Sequence, residues 1–224
     1  MLQKQKTNRL FYGKWPYKVT CRIKGVYLLR HYKKVAIEYP DILRGPGIDT
    51  NNLKKFAKDS MEFFQNDKIK KRIERSDIDF YLLTKQEADQ LYQKLKDYVI
   101  SITAPDDEEL NTLLENAKYT LCDKLPHDKY RYKITFKDMP VKVRNDLIAW
   151  AERYTDNEIY ITKSTRNHFK AVKYHYGTHY FYVKDSKMIT LVAIAASGYI
   201  RRTDEYVVRN SINTESNQEL LCQP

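Results

Sequence analysis

Glycine is scarce, with six in 224 residues. None of them forms a G-x-x-x-x-G-K-[ST], G-x-G-x-x-G or G-x-S-x-G pattern. Phosphate-cradling loops and nucleophile elbows need glycine where backbone approaches a ligand or takes a strained turn, so those enzyme classes have no template here. Cysteine is equally sparse. Cys21, Cys122 and Cys222 are scattered, odd in number and without C-x-x-C spacing, which argues against a disulfide framework and for reduced thiols in a cytoplasm-like compartment. No apolar run approaches the roughly 18 to 20 residues that span a bilayer, and Met1 to Arg9 lacks the apolar core of a signal peptide. The expectation is a protein that neither crosses a membrane nor is exported by that route.

Acid is missing too, and in particular places. No Asp or Glu precedes Glu38, while Lys4, Lys6, Arg9, Lys14, Lys18, Arg22, Lys24, Arg30, Lys33 and Lys34 all do. A second acid-free stretch holds Lys163, Arg166, Lys170, Lys173 and Lys184. The formal charge is +11. Clustered cations create a local positive field that speeds encounter with polyanions and binds phosphates by counterion release. With 42% hydrophobic residues, the chain is long enough to bury a core without metals or disulfides, and no cofactor is implied.

Periodicity supplies the elements. Tyr17, Val19, Cys21 and Ile23 alternate with Lys18, Thr20, Arg22 and Lys24, which predicts a strand with one basic face, started by Pro16. Val26 to Glu38 reads as a further strand, and Pro40 to Ile48 as a loop. Thr50 is placed to cap a helix carrying Leu53, Phe56, Ala57, Met61 and Phe64. Lys68 to Arg75 fits either a helix end or a basic strand. Ile78 to Leu83 is a strand, Thr84 and Glu87 form a capping box for the helix through Leu95, and Val99 to Ile102 is a strand, giving β-α-β. An acidic helix start follows at Asp106. The order recurs with a strand at Tyr130 to Phe136, a helix at Pro140 to Tyr154 and a strand at Glu158 to Ile161. Tyr180 to Val183 and Gly198 to Val208 are strands, and Met188 to Ala196 fits a buried strand or a helix.

The class is therefore α+β, an antiparallel or mixed sheet with β-α-β units and ferredoxin-like or RNA-recognition-type packing. A basic arm and first subdomain are expected over 1–104, a second subdomain over 105–209 and a loose tail over 210–224.

Three constellations bear on chemistry. In the first, Lys14, Lys18, Arg22, Lys24, Arg30, Lys33 and Lys34 interleave with Phe11, Tyr12, Trp15, Tyr17, Tyr27 and Tyr32. Cations take phosphates while exposed rings stack on unpaired bases, a mixture suited to a single strand. The second, Lys163 to Tyr182, contains Arg166, Lys170, Lys173, His175 and Tyr176 together with His168 and His179. Its histidines lack H-E-x-x-H spacing, a cysteine pair or a nearby acid, so phosphate or base contacts are expected in preference to zinc. In the third, Asp77-Ile78-Asp79 resembles the D-x-D of polymerase-β-type nucleotidyltransferases, which would imply Mg²⁺. The Gly-Ser helix start that such enzymes place upstream is absent.

These residues point to a non-enzymatic protein that binds single-stranded or structured nucleic acid, with the two acid-free segments acting on one polyanion. The rival is a structural or assembly protein, a component of a virion or replication complex, whose basic arm contacts genome or subunits, alone or as a homo-oligomer. A Mg²⁺-dependent nucleotidyltransferase-like enzyme is third. Richness in Lys, Asn, Ile and Tyr fits an AT-rich coding origin such as a phage or other virus, hence host cytoplasm or virion.

Overall fold

The computed structural model describes residues 2–30, 47–170, 179–196 and 198–209. The chain divides into two compact units, Met1–Ala117 and Lys118–Pro224. The α+β class read from the sequence holds in both, since each unit is a five-stranded sheet with helices.

In the first unit β1 (Gln3–Lys6), β2 (Tyr17–Arg22), β3 (Lys70–Glu74), β4 (Asp77–Leu82) and β5 (Val99–Ala104) line up in the order β1-β5-β2-β4-β3. Helices α1 (Thr50–Asp59) and α2 (Met61–Gln65) join β2 to β3, α3 (Lys85–Leu95) joins β4 to β5, and α4 (Asp107–Glu115) follows. Strands β2 to β5 pair antiparallel throughout. Their order and connections are those of the split β-α-β, or ferredoxin-like, fold. Edge strand β1 adds to it in parallel along β5.

Alternation decides which face each side chain takes. Val19, Cys21, Ile78, Phe80 and Leu82 turn inward with Leu53, Phe56, Ala88, Leu91 and Leu95 of the helices, in one buried cluster. Each Val, Leu, Ile or Phe among them contributes roughly 1.5–3 kcal/mol by leaving water. Burial also pushes the Cys21 thiol up to about 12, so it stays protonated and inert. The capping box at Thr84 and Glu87 forms as its spacing predicts. At α1 the cap is Asp49, one residue earlier than expected, because its carboxylate accepts from the Asn51 and Asn52 amides. The strand expected from Val26 is instead a 3-10 helix over Val26–Arg30, begun at the positive-φ Gly25. The remainder of that expected strand, like Lys33, Lys34, Lys173, His175, Tyr176 and the tail, lies outside the described residues.

The second unit repeats the plan. Its strands β6 (Tyr119–Cys122), β7 (Tyr132–Phe136), β8 (Ile159–Ile161), β9 (Tyr180–Val183) and β10 (Ile200–Val208) take the order β6-β10-β7-β9-β8. Again the last four are mutually antiparallel and the first runs parallel to the last. Helix α5 (Val141–Ala151) joins β7 to β8, and α7 (Ser186–Ala196) joins β9 to β10. Met188 to Ala196 is thus helical. The units differ in their connections: β3 and β4 meet in a tight hairpin, whereas α6 (Lys163–Lys170) stands between β8 and β9, and two helices rather than one join β2 to β3.

Candidate nucleic-acid interface

In each unit the described helices pack on one face of the sheet, and the other face, helix-free among the described residues, is left to the remaining alternate residues. In the first unit that helix-free face carries Lys18, Thr20 and Arg22 of β2 opposite Tyr81, Asp79 and Asp77 of β4, with Lys70, Arg72 and Glu74 on β3 beyond them. The chain entering β2 turns across this face. Gly13 N donates to Leu10 O (3.3 Å), and Lys14 N and Trp15 N both donate to Phe11 O (3.1 Å each). Closing that turn requires positive φ at two successive residues, Tyr12 (53°) and Gly13 (68°), as in hairpin turns of the primed type.

The turn sets Phe11 5.4 Å and Tyr12 5.0 Å from the Tyr81 ring. Trp15 packs edge-on to Tyr12 and donates its indole N–H to Lys68 O at 3.0 Å. Tyr12 is left 53% exposed, and Tyr81 beneath it is buried. Lysines ring the cluster: Lys70 Nζ lies 4.4 Å from the Tyr12 ring centre, Lys14 Nζ 5.2 Å from Trp15 and Lys18 Nζ 5.5 Å from Phe11. Among the described residues none of these three makes an ion pair. The arginines do, Arg22 with Asp77 through two bonds of 2.7 and 2.9 Å, and Arg72 with Glu74 at 2.6 Å. Asp79 accepts from Thr20 Oγ1 (2.7 Å) and from the Tyr81 hydroxyl (3.2 Å). Asp77 and Asp79 are therefore committed to protein donors, and no cluster of three metal-ligating side chains occurs among the described residues.

A second turn has the same geometry. Asp128 N donates to Leu125 O (2.9 Å), and Lys129 N and Tyr130 N donate to Pro126 O (3.3 and 3.1 Å). Positive φ falls on His127 (53°) and Asp128 (60°). His127 lies 5.6 Å from Tyr182, and Lys129 Nζ lies 5.3 Å from the Tyr130 ring centre. Lys133 stands opposite Tyr182 as Lys18 stands opposite Tyr81. The two segments align without a gap, LFYGKWPYKVT over 10–20 and LPHDKYRYKIT over 125–135. Leucine, three lysine and tyrosine positions and the threonine are shared. This self-similarity is the signal that would have found His127, Lys129 and Lys133, none of which a reading by charge runs selects, whereas Lys70 reaches the cluster through the pairing of β3 with β4.

Of the residues expected to bind, Lys14, Trp15, Lys18 and Arg22 share the helix-free face of the first sheet. Tyr17 does not. It is buried on the helix side, because strand alternation puts it with Val19 and Cys21. Lys24 lies past the end of β2, exposed in the following turn, so the basic strand face stops at Arg22. Lys163, Arg166 and Lys170 lie on α6, which packs on the helix side, with Phe169 against Phe136 and Phe181. Arg166 is paired with Glu152 at 2.6 Å. His168 stacks on His179 at 3.4 Å and accepts from Arg144 Nη1 at its Nε2 (3.3 Å) within that buried layer. For Arg30 only the backbone place, the end of the 3-10 helix, is described.

Burial first, then hydrogen bonding with Tyr12 and the charge of Asp79, raises the Tyr81 hydroxyl above its ordinary value. Burial likewise raises Tyr130 and Tyr182. A neutral phenol favoured by folding contributes stability that is fully present below about pH 10 and is lost as pH climbs from there through the raised values. Tyrosinate absorbance on alkaline titration is thus expected to show an early class near pH 10 and a delayed class coincident with unfolding. Titration of all tyrosines in one early class, with the fold intact, would contradict this.

No family model, curated protein or solved structure matches this chain.

Proposed function

We propose that this protein binds single-stranded nucleic acid on the helix-free face of its first sheet, with Lys14, Lys18 and Lys70 taking backbone phosphates and Tyr12 and Trp15 stacking on bases. The observation that carries this reading is the trio of lysines, without acidic partners among the described residues, set around the Phe11, Tyr12 and Trp15 rings on the sheet face opposite the described helices. Such sheets present rings to splayed bases, and base stacking on an aromatic side chain is sequence-tolerant because every base has a π-face. The Tyr12 backbone supports the reading. Positive φ on a non-glycine residue costs on the order of 1 kcal/mol, and it recurs at His127 with different side chains, as expected where the turn itself is what matters. Lys and Arg also outnumber Asp and Glu in each unit, by 22 to 17 and by 18 to 12.

The test is fluorescence anisotropy with labelled oligonucleotides across a salt series. A single strand is expected to bind more tightly than a duplex of equal length, because rings reach only unpaired bases. Equal affinity for both would remove the stacking part of the reading, and no binding at low salt would remove all of it.

A further inference from the structure

The second unit carries a feature that its counterpart has only in outline. Tyr160 of β8 stands opposite Tyr182 of β9, their rings 6.4 Å apart and 27° from parallel. Tyr130 lies under both, 5.8 Å from Tyr160 and 6.2 Å from Tyr182, nearly parallel to each. Tyr180 meets Tyr182 edge-on at 5.3 Å, and Tyr206 of β10 reaches Tyr182 at 6.2 Å. His127 leans across the top, 4.2 Å from Tyr160. Tyr130 is wholly buried, whereas Tyr160, Tyr180, Tyr182 and Tyr206 keep part of their surface and His127 is exposed.

Contiguous rings on the solvent side of a sheet are costly to leave bare. Their hydroxyls keep them soluble, and their faces suit a planar apolar ligand. The surroundings are cationic: Lys133 Nζ sits 3.9 Å from the Tyr180 ring centre, and Lys129, bonded to the Asn157 amide at 2.8 Å, flanks Tyr130. Rings beside cations on a face whose first-unit equivalent we assign to a single strand select unpaired bases with their phosphates.

We infer that the helix-free face of the second sheet is a second nucleic-acid site, a stacking platform in which Tyr160, Tyr182, Tyr206 and His127 take unpaired bases while Lys129 and Lys133 take phosphates. It rests on the reading given for the first unit in expecting the same ligand class. The chain is then a tandem binder with two sites of one design.

Calorimetry on the full chain with an oligonucleotide about four nucleotides long, the span of a recognition sheet that stacks two or three bases, decides it. Two equivalents are expected. Tyr160→Ala with Tyr206→Ala should remove one of them, weakening that site roughly 5- to 150-fold per lost ring. Tyr160→Phe with Tyr206→Phe keeps the rings and should retain both, which separates stacking from a loss of fold. One equivalent that ignores the Tyr→Ala changes but falls with Lys14→Ala and Lys18→Ala would overturn the platform and leave the first site standing. One equivalent with the opposite response would support the platform and overturn the first site. No bound equivalent overturns both.

Discussion

Replacing Lys14, Lys18 and Lys70 together by alanine is expected to weaken binding of a single strand on the order of 100-fold at about 0.1 M salt. Each lysine that meets a phosphate releases a counterion and adds about 0.7 to the slope of log affinity against log salt on a single strand. Three contacts therefore flatten the slope by roughly two units. None of the three is engaged by a carboxylate among the described residues, so none pays for binding by breaking an ion pair. Arg22 is a built-in control on the same face. It holds Asp77 through two bonds, and its replacement should change the slope far less than any one of the lysines. Anisotropy at four or more salt concentrations measures both. An unchanged slope in the triple variant would mean that phosphates do not sit where these lysines are.

Strands β2 and β4 of the first unit were legible because apolar residues alternate along them. Val19 and Cys21 against Lys18 and Arg22 follow that alternation, while Thr20 on the outer face is buried and bonded to Asp79. The capping box was legible because its spacing has one physical use. Other elements were hidden for physical reasons. Strand β1, QKQK, has no apolar residue and exists through backbone bonds to β5 at a sheet edge. Helix α7 is apolar around most of its circumference, so neither period stands out. Charge runs pointed to the face proposed as the first site but away from the one proposed as the second. Lys163, Arg166 and Lys170 follow one another closely in sequence, yet a helix sends them to the layer opposite the tyrosines. Lys129 with Lys133, Tyr160 and Tyr206 come from three distant stretches of the sequence, and the pairing of β7, β8, β9 and β10 gathers them.

The duplicated turn explains why composition and topology agree. A segment crossing the open face must reverse tightly before entering the first ferredoxin-like strand, and two successive positive φ angles achieve that reversal. The first copy eases the strain with Gly13, the second with Asp128, a residue that tolerates this region better than most. What both copies keep is a lysine followed by a large ring, Lys14-Trp15 and Lys129-Tyr130.

Those two rings occupy one position of the repeat but differ in burial, and their replacement should separate stability from binding. Tyr130 is wholly buried, stacks beneath Tyr160 and Tyr182, and donates its hydroxyl to the Asp156 carbonyl. Tyr130→Ala removes a large ring from a packed site and should cost about 3–5 kcal/mol, whereas Tyr130→Phe loses only the hydrogen bond, about 1 kcal/mol. Trp15 is half-buried beside Tyr12 and Lys14. Trp15→Ala should cost less stability than Tyr130→Ala but weaken single-strand binding roughly 5- to 150-fold at every salt concentration, with the slope unchanged because stacking releases few counterions. Denaturant unfolding followed by circular dichroism, paired with anisotropy, reads both quantities. If Trp15→Ala leaves affinity intact while destabilising as much as Tyr130→Ala, the Trp15 ring is structural and the stacking role falls to Tyr12 alone.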